Sequence, residues 1–136
     1  MAEAIATNHA TKEGREFFAT SAGLATMDGL PISNETIATL KSMSIEHDGR
    51  SRQLTADMIA NAALVLCMTQ SHAEGVRHLA ELNDQAADHI HVLCPDGKDL
   101  PDPIGQPQAV YDRLGERLAT LIPGRVDGLL AADTAS

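Results

Sequence analysis

The hydrophobic positions of this chain change period along its length, and the changes predict helices alternating with short strands. Residues 1–14 predict a helix: Ala, Ile, Lys and Glu favour that state, Glu3 sits in the first turn, and Gly14 can end it. Phe17 and Phe18 centre a short strand over residues 16–20, followed by a turn at Ser21-Ala22-Gly23. Asp28-Gly29 and Pro31 punctuate a loop. Ser33 is a good N-cap for a helix whose Ile37, Leu40 and Met43 face inward. Residues 47–52 read as a polar loop, and Thr55 caps a short helix through Ala60. Residues 63–68 are a continuous apolar run. A strand apolar on both faces fits a parallel sheet covered by helices. Ser71-His72-Ala73-Glu74 is a capping box for the next helix, with Val76, Leu79 and Leu82 on its apolar side. Residues 89–94 predict a further strand, and Asp96-Gly97 turns the chain. Pro107 starts the last helix, where Val110, Leu114, Leu118 and Leu121 recur at helical spacing until Pro123-Gly124 ends it.

This alternation predicts an α/β fold with a parallel sheet. At 136 residues the chain fits one domain over residues 1–130, with a small, polar, flexible tail at 131–136. Aromatic residues are 2% of a chain that is 43% hydrophobic, so aliphatic side chains must fill the core. The net charge of −9, from 19 acidic against 10 basic residues, argues against a nucleic-acid partner, which needs clustered Lys and Arg. No apolar run reaches the ~20 residues of a membrane span, and no basic-then-apolar leader is visible; the expectation is a cytoplasmic protein with no membrane partner. Cys67 and Cys94 each end an apolar run and read as buried free thiols.

Four segments, in this order, resemble the low-molecular-weight protein tyrosine phosphatases: Ser21-Ala22-Gly23-Leu24, Arg50-Ser51-Arg52-Gln53-Leu54-Thr55, Leu64-Val65-Leu66-Cys67-Met68-Thr69 and Leu100-Pro101-Asp102-Pro103-Ile104-Gly105. The resemblance covers most of residues 1–122. Members of that family open with a strand and a phosphate-binding loop of pattern Cys-x5-Arg-[Ser/Thr], commonly followed by Met-Ala-Glu-Ala. This chain opens with Met1-Ala2-Glu3-Ala4. The resemblance therefore implies that it begins on the first turn of the helix after that loop. It also implies a three-layer α/β/α fold with family strand order 2-1-3-4, whose central first strand is missing here. Ladder groups left unpaired by that loss would cost roughly 1–3 kcal/mol each. Against a total stability of ~5–15 kcal/mol such a loss is severe.

Phosphomonoester hydrolysis through a thiol needs a low-pKa Cys, backbone N–H groups with an Arg around the phosphoryl oxygens, and an acid for the leaving group. Six positions after Cys67 stands Ala73, and six after Cys94 stands Leu100, so neither gives Cys-x5-Arg. The acid is present: Pro101-Asp102-Pro103 is a carboxylate between two restricting prolines. The tripeptide alone reads equally well as a turn leading into a helix. By resemblance, Asp102 matches the family's general acid. Asp99 falls outside the motif and is expected to be solvated. In Arg50-Ser51-Arg52, one Arg either pairs with an acidic neighbour to fix the loop or attracts an anionic substrate. Ala63 stands where family members often carry Asp. His89 and His91 share a strand face and, with His72 and His78, suggest a metal site. Without a carboxylate or Cys beside them they read instead as solvent-facing or end-of-strand side chains. No metal and no cofactor are implied.

The leading expectation is a phosphatase truncated before its catalytic loop and inactive as given. The complete enzyme would act on a phosphorylated protein, through phosphotyrosine or phosphoarginine. The alternatives are an arsenate reductase on the same fold, which needs the same Cys, and a non-catalytic binding or regulatory relative.

Overall fold

The computed structural model describes residues 1–14, 19, 21–23, 33–46, 52–100 and 103–134, with side chains as far as residue 130. In chain order the elements are α1 (Ala2–Glu13), α2 (Asn34–Ser42), α3 (Ala56–Asn61), β1 (Val65–Cys67), α4 (Gln70–Leu82), β2 (Ile90–Val92) and α5 (Gln108–Thr134). The expected strand over residues 16–20 lies almost wholly outside the described residues, as do Asp28-Gly29 and Pro31.

The helix starts follow local cap chemistry. Gly14 ends α1 in the left-handed region at φ 65°, its N–H bonded to the Ala10 carbonyl. The Ser33 hydroxyl accepts from the Thr36 N–H, and the Thr55 hydroxyl accepts from the Met58 N–H. For α4 the cap is Thr69, which accepts from His72 N–H, and not the expected Ser71. Starting the helix at Gln70 gives a buried stripe of Ala73, Val76 and Ala80, while Leu82 is 68% exposed instead of inward. The two fully buried alanines let α4 lie close on the sheet.

On α2, Leu40 is buried and Met43 packs against the core, but Ile37 is 42% exposed. The inward positions belong to Thr36 and Thr39, because α2 packs on α5 where α5 carries Gly115. A Cβ there would collide with Thr39 Cγ2 and stand 2.8 Å from Met43 Cε. The Thr39 hydroxyl donates to Asp112 Oδ1 (2.8 Å), and Gln108 Nε2 donates to the same oxygen (3.0 Å) and to the Glu35 carbonyl (3.0 Å).

α5 does not end at Pro123-Gly124 but continues to Thr134. Proline inside a helix costs about 3 kcal/mol. Ile122 and Val126, buried on either side, each contribute about 1.5–3 kcal/mol, enough to hold the helix through it. The buried stripe is Tyr111, Leu118, Ile122 and Val126, so of the four expected positions only Leu118 is fully buried. Leu114 and Leu121 flank the core.

The fold is α/β, and its sheet among the described residues has two strands. β1 and β2 pair in parallel, Val65 with Ile90, Leu66 with His91 and Cys67 with Val92. Alternation along the strands separates two cores. Leu66, Met68 and Leu93 join Ala4, Ile5, Leu40, Leu118, Ile122 and Val126 of α1, α2 and α5. Val65, Cys67, Ile90 and Val92 join Ile59, Val76 and Ala80 of α3 and α4. Helices thus cover both faces. The expected turn at 21–23 is instead a single parallel bridge: Gly23 N–H donates to the Arg52 carbonyl and its carbonyl accepts from Leu54 N–H, both at 2.8 Å. Among the described residues no helix is long and apolar enough to cross a membrane.

Candidate active site

The two edges of this sheet differ. Val65 N–H donates to the His89 carbonyl, and Leu93 N–H donates to the Cys67 carbonyl. The polar backbone of Val65 and Cys67 therefore faces β2. By the alternation of a parallel ladder, the N–H and C=O of Leu66 face the other way, where no described residue bonds them. The outer edge of β2 is closed. Arg77 donates to the Ile90 carbonyl (3.2 Å), and Arg125 donates to the carbonyls of Val92 (2.9 Å) and Leu93 (3.1 Å). Guanidinium groups on those carbonyls block a further strand. Among the described residues one edge is plugged by guanidinium groups, and the other has no bonded neighbour.

At the C-terminal end of the open edge, the Met68 carbonyl accepts from Leu100 N–H at 2.8 Å, and the Leu100 side chain is buried in the core shared with Leu66. The preceding loop is tied down repeatedly. Gly97, at φ 78°, donates to the Cys94 carbonyl. The Lys98 N–H donates to Asp96 Oδ1 (3.0 Å) and holds that carboxyl below its ordinary range. Asp99 Oδ1 accepts from Gln70 N–H (2.8 Å), and Gln70 Nε2 donates to the Gly97 carbonyl (3.0 Å). Beyond, the Pro103 carbonyl accepts from Gln106 N–H (2.9 Å), a turn that leads into α5. Pro101 and Asp102 lie outside the described residues. Leu100, the described residue before them, lies at the carboxyl end of the strands, where ligands of open α/β sheets bind.

Neither thiol suits nucleophilic chemistry. Both are buried and unpaired in disulfides. Burial pushes the Cys67 thiol up, with Arg77 opposing more weakly. A buried, high-pKa thiol is inert. Cys94 Sγ takes a 3.6 Å contact from Arg117.

Arg50 and Ser51 lie outside the described residues. Arg52 is exposed, and its contribution to fixing the loop is the backbone carbonyl bonded to Gly23. His89, just ahead of β2, bonds the Ile59 carbonyl through Nε2 at 2.8 Å and so pins α3. His91 is half-buried within β2. Among the described residues no three His, Cys, Asp or Glu side chains converge as metal ligands. Asp99 is exposed, yet bonded to α4 rather than simply solvated. Nothing in the sequence links it to Gln70, because the contact joins the start of one helix to a loop beyond the next strand.

Comparison with known proteins places these features in context. The family model described as low molecular weight phosphotyrosine protein phosphatase matches residues 1–132. A protein-arginine-phosphatase of Geobacillus stearothermophilus is 33% identical over 103 residues, 75% of this chain and 70% of that protein. The crystal structure of a low molecular weight protein tyrosine phosphatase from T. tengcongensis superposes with a TM-score of 0.84 at 31% identity, covering 93% of this chain and 88% of that one. The YwlE arginine phosphatase from Geobacillus stearothermophilus superposes with a TM-score of 0.81 at 30% identity, covering 98% and 85%.

Proposed function

The chain belongs to the low molecular weight phosphotyrosine protein phosphatase family, and from that premise we propose that it is the scaffold of a cytoplasmic phosphatase acting on phosphorylated protein side chains. Asp102 serves as general acid. The scheme also needs a nucleophilic Cys and a phosphate-binding Arg in a Cys-x5-Arg loop, a pattern the 136 residues do not carry, so by themselves they are inactive. One observation supports this most: the Leu66 edge of β1, which no described residue bonds, and the anchoring of Leu100 on Met68 meet at one end of the sheet. A strand pairing with Leu66 in parallel would release the residues after it toward the Met68–Leu100 contact, two residues before Asp102 in sequence. Met1, at the start of α1, packs on the same core as Leu66 and Leu100. The two free buried thiols suit a reducing compartment.

In the proposed reaction the thiolate attacks phosphorus, and the S–P bond forms as the bond to the leaving group breaks. Asp102 gives its proton to the leaving atom. Water then attacks phosphorus, the Asp102 carboxylate takes a proton from it, and the S–P bond breaks to release phosphate and thiolate. Phosphotyrosine and phosphoarginine both satisfy this scheme, in line with the named activities of the relatives.

The test is Asp102→Ala in the protein extended upstream in frame. A general acid contributes about 10²–10⁴ in rate, so turnover of phenyl phosphate should fall by about a hundredfold or more. p-Nitrophenyl phosphate, whose leaving group needs less protonation, should lose far less. Equal losses on both substrates would refute the acid assignment.

A further inference from the structure

We infer that the part of α5 beyond Pro123 is a detachable strap that keeps the outer edge of β2 from pairing with the same edge of a second copy of the chain. This does not depend on the phosphatase reading. The segment is a poor helix by composition. Pro123 lacks the N–H that the Ala119 carbonyl would accept, and Gly124 and Gly128 rank next to proline as the weakest helix formers. Docking holds it instead, and three consecutive residues dock in three different places. Arg125 donates through Nη2 to the Val92 carbonyl (2.9 Å) and through Nε to the Leu93 carbonyl (3.1 Å). Val126 is buried in the core that Leu93 shares. Asp127 holds His9 Nε2 of α1 at 3.2 Å from both of its carboxylate oxygens. A segment of low helix propensity, fixed to β2, the core and α1 by successive residues, docks or leaves as one unit.

The strap covers an edge whose composition favours pairing. Residues 89–94, His-Ile-His-Val-Leu-Cys, are β-prone and contain no Lys, Arg, Asp, Glu, Pro or Gly, as in segments that pair edge to edge. The backbone of His89 and Leu93 bonds β1, so by alternation the N–H and C=O of Val92 face outward. Arg125 occupies that carbonyl, and Arg77 occupies the Ile90 carbonyl next along the edge. A guanidinium carries only donors, so it closes the row of carbonyls and offers no acceptor to a further strand. With Arg125 withdrawn, two copies can meet about a two-fold axis at Val92. Each Val92 N–H then donates to the other copy's Val92 carbonyl, the hydrogen-bonded pair of an antiparallel ladder. The same residues face each other across the axis, so the contact is self-complementary and closes at two copies.

The test uses two variants of the 136-residue protein. Arg125→Met keeps the aliphatic stem and removes the donors. His9→Ala frees the strap from the α1 side with both edge arginines in place. At low concentration both should speed amide exchange from Val126 to Leu130 by about tenfold, while Leu114 and Leu118, ahead of Pro123, stay as protected as in the parent. At concentrations where the parent sediments as a monomer, both variants should sediment as dimers. The Val92 amide should then exchange about tenfold more slowly than in the dilute variant. Acceleration confined to Arg125→Met would mean that the contacts to α1 and β2 do not hold one unit. Variants that stay monomeric, or dimers whose Val92 amide gains no protection, would mean that the strap does not guard this edge. Either result overturns the inference. If Arg125→Met does not fold, His9→Ala decides by the same two readouts.

Discussion

Single side chains in this protein are set by partners far away in sequence, and their titration reflects it. Asp112 accepts hydrogen bonds from Gln108 and Thr39, and these hold its carboxyl below the ordinary range. A depressed folded value means the stabilisation is fully present above the unfolded carboxylate value and is lost as pH falls through the folded one. Asp112→Asn should therefore lower Tm near pH 7, and its Tm should fall less than the parent's between about pH 7 and about pH 3, the span of ordinary carboxylate titration. Thermal melts across that range check it; parallel pH dependences would contradict it. Asp102 stands out in the sequence because proline on both sides is a local signal, and its role as acid is the proposal that Asp102→Ala tests. Asp99 does not stand out, because its partner Gln70 is supplied by tertiary packing, and an exposed carboxylate in a loop carries no mark of that.

Helices begin where the sequence predicts whenever one cap residue stands alone, as at Ser33 and Thr55. At α4 two candidates compete. The Ser71–Glu74 box looked the better, but Thr69 directly follows β1 and brings Ala73 and Ala80 onto the sheet. α5 shows the opposite lesson: Pro123-Gly124 is a strong local stop, overridden by burial of Ile122 and Val126. Where α5 meets α2, Gly115 is there for close approach. An added methyl meets Thr39 Cγ2, stiff and held by Asp112, so little can give way. Gly115→Ala should destabilise by about 1–2 kcal/mol, overpacking exceeding the gain in helix propensity. Gly124, with nothing within 4 Å of an added Cβ, is the control. Gly124→Ala should raise stability by about 0.5–1 kcal/mol. Denaturant melts of the pair should move in opposite directions. A stabilised Gly115→Ala would mean α2 does not sit against α5 as described.

The described residues form a layered α/β domain with one sheet edge shut by Arg77 and Arg125 and, at Leu66, another edge that no described residue bonds. The α/β class, the apolar β1 segment and the aliphatic core were legible from periodicity and composition. The edge asymmetry was not, since it depends on two arginines donating to carbonyls of a distant strand. The proposed function requires a strand and a Cys-x5-Arg loop at the Leu66 edge of the sheet. The most direct measurement compares hydrolysis of p-nitrophenyl phosphate by the 136-residue protein and by the same chain extended upstream in frame, both shown folded by circular dichroism. Turnover by the extended protein alone is the predicted result. Turnover by the 136 residues themselves, or by neither folded protein, would contradict it.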